Sequence, residues 1–207
     1  MGRSIMTATL TAAALTLLSS CVQAQEINPR QQVDKGGAQR KPLAEGPAVE
    51  SGGERYVLLP EVRAVHVRNL DRGSEHALAS MGVQALEVLE TKGHLVLYRR
   101  ASAASPAFVR LLTPSGHRSL PVVRNERTGQ LGVVPGTITV KLRDVALAEA
   151  LASDHGLVLE LRVGTTAYGI YRVAPSTDPF AAASALRADV RVADATVEIL
   201  ENVNVPY

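Results

Sequence analysis

The feature that most constrains the fold is a sequence repeat. Two segments share one pattern, ALASMGVQALEVLETKGHLVLYR from Ala77 to Arg99 and ALASDHGLVLELRVGTTAYGIYR from Ala150 to Arg172. Each opens with Ala-Leu-Ala-Ser, reaches a glycine within a few residues, and continues as two alternating apolar stretches that end in Tyr-Arg. The offset of 73 residues is too long for a solenoid unit and fits a small domain. The repeat therefore predicts two copies of one α+β unit.

The second copy has the clearer strand signals. The stretch Thr137–Leu142 alternates apolar and polar residues with period two, which is typical of a half-buried strand. The same pattern predicts strands at Leu157–Val163 and Tyr168–Val173, joined by a glycine-containing turn, and a fourth strand at Thr196–Leu200.

Two helices are expected between these strands. Asp144 is a good N-cap for a helix over 145–153, and Gly156 is a good C-cap. Ser176 or Asp178 is expected to cap a second helix, with Pro179 in its first turn. The order is β-α-β-β-α-β, the ferredoxin-like arrangement, in which two helices cover one face of a four-stranded sheet and the other face stays free.

The first copy follows the same order more loosely, and we expect a domain over 56–124, a link over 125–136, and a second domain over 134–207. The alternative is that the first region is a β-rich extension of a single domain. Its predicted elements are strands at Val62–Val67, Val83–Glu90, His94–Arg99 and Leu120–Arg124, and helices at Ser74–Met81 and Ser105–Leu112.

The N-terminal residues are typical of an export signal. Arg3 precedes an apolar run that is too short to span a bilayer. Either a signal peptide over 1–24 is removed, or a lipoprotein signal over 1–20 is removed and Cys21 is lipidated. Residues 25–55, rich in glycine, proline and charge, are predicted to be a flexible linker. We expect an exported protein that is periplasmic, anchored in the outer membrane through a lipid on Cys21, or secreted.

Composition and motifs argue against several classes of function. A net charge of +2 with 3% aromatic residues does not suit nucleic-acid binding. None of the five histidines has a metal-binding spacing, and no nucleophile or phosphate-loop motif is present, so we expect no metal, no cofactor and no enzyme activity. His155 is expected to interact with a helix dipole. Glu198 and Glu201 are interpreted as solvated residues near a strand end.

Several segments of the second copy suggest a known family. They are the opening run Val134–Leu142, the pair Asp178-Pro179, the stretch Leu186–Ala195, and the closing residues Glu198–Pro206. Together they resemble the propeptide of subtilisin-like serine proteases, which also inhibits the protease. The resemblance covers about 70 residues of 207.

This resemblance implies a partner and a binding mode. The sheet would pack on two surface helices of the protease, and the C-terminal tail would add a strand in the substrate cleft. The tail residues are Asn204, Val205, Pro206 and Tyr207, with Tyr207 in the first specificity pocket, Pro206 in the second and Val205 in the third.

The implied function is inhibition and assisted folding of a subtilisin-like protease. Because the sequence stops at Tyr207 without a protease domain, we expect the protein to act in trans or as an excised propeptide. The alternative is an envelope lipoprotein whose two α+β modules bind a structural partner, with no protease involved.

Overall fold

The longest strand organises the first half of the molecule. In a computed structural model, which describes residues 41–101, 108 and 110–202, this strand runs from Glu54 to His66 and pairs with three neighbours. Seven described strands form this antiparallel sheet, in the order β3-β4-β2-β6-β5 with β1 against β2 and β7 against β6. They are β1 Ala48–Ser51, β2 Glu54–His66, β3 Ala85–Lys92, β4 Leu95–Arg100, β5 Leu111–Leu112, β6 Arg118–Asn125 and β7 Leu131–Val133, and helix α1 is Ser74–Ser80.

The second half contains a four-stranded antiparallel sheet in the order β11-β8-β10-β9. A 3-10 turn at Val145–Leu147 precedes its first helix. The elements are β8 Thr137–Leu142, α2 Ala148–Asp154, β9 Val158–Val163, β10 Tyr168–Arg172, α3 Pro179–Arg187 and β11 Val192–Val197. The chain therefore has an α+β fold built on two antiparallel sheets, as the sequence predicted.

Local capping signals explain where the helices of the second half begin. Asp144 Oδ1 accepts a hydrogen bond of 2.9 Å from the Ala146 N–H. Asp178 Oδ1 accepts one of 2.8 Å from the Phe180 N–H, and Pro179 occupies the first turn of α3. Each carboxylate thus satisfies a backbone donor that would otherwise be free. Asp178 is confirmed as the N-cap of α3, whereas Asp144 caps the 3-10 turn that precedes α2.

The strand orders of the two sheets correspond. Four adjacent strands of the first sheet have the order β6-β2-β4-β3, and the four strands of the second sheet have the order β11-β8-β10-β9. In both, a helix follows the first strand and a hairpin follows the helix. The repeated sequence occupies equivalent places, since Leu78 and Leu151 are buried on the helices and Tyr98 and Tyr171 are buried on the third strands.

The core continues from one sheet to the other. Between the second sheet and its helices lie the buried residues Ile138, Val140, Leu151, Tyr171 and Leu186. The same cluster includes buried residues of the first half, namely Tyr56, Leu58, Phe108, Val123 and Val134. Accordingly, the described residues belong to one compact unit.

The structure differs from the predicted linker near its C-terminal end. Gly52 and Gly53 have φ values of 58° and 79° and connect β1 to β2, whereas residues 25–55 were expected to be flexible. Two consecutive residues with positive φ suit a tight hairpin turn whose twist matches its strands. Gly52 and Gly53 therefore form the turn of a β-hairpin. The earlier part of the predicted linker, to residue 40, lies outside the described residues.

Two further predicted elements need correction. Leu111–Leu112 is a strand paired with β6 rather than the end of a helix, and most of the rest of that predicted helix lies outside the described residues. The last strand is Val192–Val197 rather than Thr196–Leu200. A register shift between Val192 and Asp194 interrupts its alternation, which hides the first half of the strand from a period-two pattern.

Candidate protein-docking face

The second sheet has one face covered by helices and one that they leave open. On β8, Ile138, Val140 and Leu142 are buried on the helix side, while Thr139 and Lys141 alternate to the other side. We call the second side the outer face. Its exposed and half-buried residues are Thr139, Lys141, Val158, Leu161, Val163, Tyr168, Ile170, Arg172, Asp194 and Thr196.

The outer face carries an apolar patch on β9 and β10. Leu161 lies opposite Ile170, and Val163 lies opposite Tyr168, so these pairs share one side of the sheet. Val158, at 63%, and Leu161, at 51%, are exposed although both are large and apolar. A sheet face turned to water usually carries polar residues. A grouped apolar surface of this kind is typical of a docking site.

Charged side chains surround the apolar patch. Arg172 forms an ion pair with Glu160 at the end where β10 meets β9. Across the sheet, Asp194 lies opposite Lys141, and its Oδ1 is 3.9 Å from Arg187 Nε. An apolar centre with a charged surround is the usual composition of a protein interface.

Strand β9 forms one edge of this sheet. It is the terminal strand in the order, and only its β10 side is paired among the described residues. An edge of this kind can accept an added strand. On the helix-facing side of β9, Arg162 Nη1 is 3.8 Å from Glu149 Oε1 on α2.

The chain beyond β11 is fixed to the first sheet at Glu201. Leu200 exchanges two backbone hydrogen bonds with Val133, of 2.9 and 3.0 Å. Lys92 Nζ donates to the Glu201 carbonyl at 2.5 Å, and Asn125 Nδ2 donates to Glu201 Oε1 at 2.9 Å. We call Lys92, Asn125 and Glu201 the Glu201 anchor. It fixes the point from which the residues after Glu201 continue.

The interpretation of Glu201 as a solvated residue is wrong. Its side chain is half-buried and bonded to Asn125. Burial, together with the hydrogen bond and negative charge of Glu201, raises the pKa of the Tyr56 phenol to about 12. Sequence reasoning missed this cluster because its members come from four separate segments of the chain.

His155 has a partner that the sequence did not suggest. It ends α2, and its Nε2 lies 3.0 Å from Asp189 Oδ2. Arg191 donates to both oxygens of Asp189, at 2.9 and 2.6 Å, and to Asp154 at 2.8 Å. The Arg191 guanidinium, followed by His155, holds the pKa of the Asp189 carboxyl well below its usual range. The cluster ties the end of α2 to the loop before β11.

The predicted site residues Asn204, Val205, Pro206 and Tyr207 lie outside the described residues, as do Cys21 and both predicted signal peptides. Within the described ranges, no group of three or more His, Cys, Asp or Glu side chains is arranged to hold a metal ion. None of the helices in those ranges is long and apolar enough to span a membrane.

Comparison with models of protein families assigns the chain to one family. A family model described as "Open reading frame 2 N-terminal domain" matches residues 44–206, which include both sheets. The chain belongs to this family. The resemblance to the propeptide of subtilisin-like proteases is therefore wrong as an assignment of family, because the match is to a different family and spans the first half as well. Comparisons with curated proteins and with solved structures find no significant match.

Proposed function

We propose that this chain is an exported binding protein that inhibits a subtilisin-like serine protease and assists its folding, and is not itself an enzyme. The outer face is the observation that carries the proposal. The family description names no activity, so support comes from this face, from the free edge of β9, and from the sequence of the residues after Asn202.

The outer face offers apolar side chains on which a partner can dock. Val158, Leu161 and Tyr168 are large exposed side chains on two adjacent strands. These residues belong to a sheet whose other side packs against α2 and α3. Their backbone is therefore already ordered before a partner binds. A preformed surface of this kind loses less entropy in a complex than a flexible one. We place the protease's surface helices against it.

We further propose that each half is a ferredoxin-like β-α-β-β-α-β unit and that the first half is a diverged copy of the second. The corresponding strand orders of the two sheets support this proposal. The equivalent burial of Tyr98 and Tyr171 at the ends of the repeated segments supports it as well. On this proposal, the face used for docking belongs to the second copy.

The tail is the proposed inhibitory element. Asn204, Val205, Pro206 and Tyr207 would lie as an added strand in the substrate cleft, where backbone hydrogen bonds give affinity and side chains give specificity. The Glu201 anchor supports this assignment because it fixes the chain only a few residues before the tail. A tail that starts from a fixed point has a higher effective concentration at the cleft once the outer face has docked.

The test is a titration of the full chain into a subtilisin-type protease, following hydrolysis of a chromogenic peptide. We expect stoichiometric inhibition with slow release. Leu161→Glu should weaken inhibition by about tenfold or more, because a charge would enter the desolvated centre of the interface. Its control is Leu86→Glu, which changes a leucine that is somewhat more exposed, at 66%, on β3 of the first sheet.

A second variant separates the tail from the face. Removal of Asn204–Tyr207 should weaken inhibition at least about tenfold, because the strand proposed to lie in the cleft is lost, and should leave thermal unfolding unchanged. Full inhibition by the truncated chain would show that the tail is not the inhibitory element. A folded protein that inhibits none of several subtilisin-type proteases would overturn the proposal in favour of an envelope lipoprotein that binds a structural partner.

A further inference from the structure

A basic cleft lies between the two sheets, at the end of the second sheet where Arg172 is placed. Its volume is about 600 Å³. The charged and titratable side chains that line it are His66, Arg68, Arg110, His117, Arg118 and Arg172. These residues come from the end of β2, the turn before β6, the end of β10 and the segment before β5. The fold thus collects cations from four separate segments.

Arg110 forms the buried base of the cleft. Its Nη1 donates to the Pro135 carbonyl at 3.0 Å, and its Nη2 donates to the Val173 carbonyl. Gly136, at a φ of 83°, makes room for it, since a Cβ there would lie 3.0 Å from Arg110 Cζ. Arg110 is therefore held in one position, with its guanidinium shared between the backbone and the cleft.

The guanidinium groups in the cleft act on one another. Burial lowers the pKa of Arg110, and the positive charges of Arg118 and Arg172 lower it further, while Glu160 opposes this change. Like charges held this close disfavour each other's ionised form, yet arginine remains a cation. A bound anion would relieve this repulsion.

The cleft has far more positive than negative charge. Four arginines line the cleft. One of them, Arg172, forms an ion pair with Glu160. In the described part of the chain, no carboxylate lies within ion-pair distance of Arg68 or Arg118, which are both exposed. A low-dielectric wall with charge of one sign concentrates counter-ions.

We propose that this cleft is a binding site for a phosphate-bearing anion. The guanidinium fork matches phosphate oxygens with two parallel hydrogen bonds, and arginine is favoured where such recognition is needed. One phosphate or diphosphate group concentrates several negative charges within the space between Arg68, Arg110 and Arg118. An acidic protein segment would need several separate carboxylates in the same small volume. The cleft shares Arg172 with the outer face, but this inference does not rest on the proposed protease partner.

The test is calorimetric titration of the full chain with inorganic pyrophosphate at low salt. Arg118→Gln should weaken binding by about tenfold or more, because hydrogen bonds to a charged group are among the stronger ones. Arg143→Gln is the control, since it removes the same charge from an exposed position that does not line the cleft. Arg110 is not substituted, because it also holds the carbonyls of Pro135 and Val173.

Two further arms identify the source of the phosphate. Sedimentation with vesicles of phosphatidic acid, but not of phosphatidylcholine, and its loss in Arg118→Gln would support a lipid headgroup. Pyrophosphate binding without vesicle binding would support a soluble ligand. Absence of both, an equal loss in Arg143→Gln, or tighter binding of hexaglutamate than of pyrophosphate would overturn the proposal.

Discussion

Gly169 leaves the space that the ring of Tyr171 occupies. A Cβ on Gly169 would lie 2.5 Å from Tyr171 Cε2, closer than packed atoms approach, and both residues face the helices from β10. The Tyr171 hydroxyl donates to the Ala148 carbonyl at 3.1 Å. One strand thereby positions the ring that connects the second sheet to the start of α2.

Substitution of Gly169 tests this relationship. We expect Gly169→Ala to lower the free energy of unfolding by about 1–3 kcal/mol, because the added methyl group must displace the ring in a packed core. Urea denaturation measures the change. Gly164→Ala is the matched control, since nothing lies within 4 Å of a Cβ there. If both variants lower the free energy of unfolding equally, the Tyr171 ring does not need the space at Gly169.

Adjacent residues on β8 test which face of the second sheet is the core. Val140 is fully buried and Thr139 lies on the outer face. Val140→Asp should abolish cooperative thermal unfolding, because an unpaired charge would enter the core. Thr139→Asp should leave a cooperative transition. A folded Val140→Asp protein would show that the strand does not face the core as described.

The Glu201 anchor predicts an effect at a residue of the first sheet. In Lys92→Met, the carbonyls of Leu131 and Glu201 lose their donor, so we expect a loss of about 2 kcal/mol in the free energy of unfolding. Lys41→Met, at an exposed position, should have a much smaller effect. If the two variants unfold at the same urea concentration, the anchor does not stabilise the fold.

The cluster around Asp189 predicts an acid-dependent contribution to stability. Because its pKa is lowered in the folded state, the stabilisation is present above the usual pKa of an aspartate, about 4, and is lost as the pH falls below it. Asp189→Asn should therefore be less stable than the unchanged protein at pH 7, with a difference that narrows toward pH 2. Urea midpoints at several pH values measure this difference. A difference that stays constant with pH would contradict the role of the carboxylate.

Local chemistry was enough to predict much of the second half. The strand Thr137–Leu142 and the N-caps Asp144 and Asp178 follow from alternation and capping, which depend on neighbours in the sequence. The strand β11 was shifted in the prediction because a bulge breaks its period. The coarse α+β class follows from the same local signals.

Contacts between distant segments could not be predicted in this way. Nothing near Glu201 in the sequence indicates Lys92 or Asn125, which lie 109 and 76 residues away. The basic cleft is similar, because its arginines are scattered singly among residues of both signs. The sequence predicted that one face of the second sheet is free of helices, but not which side chains lie on it. The exposure of Leu161 and Val158 there follows from the register of β9 with β10.

Two contacts tie the end of the described chain to strands β1 and β7 of the first sheet. Ser51 Oγ donates to the Val197 carbonyl at 2.6 Å, and Val133 pairs with Leu200. During synthesis, these contacts can form only after Val197 and Leu200 have left the ribosome. Pairings between such distant segments are slow to form, since the closure of a long loop precedes them. Until then, β7 lacks its pairing with Leu200, so a delay in this pairing would leave part of its edge open to other chains and favour aggregation.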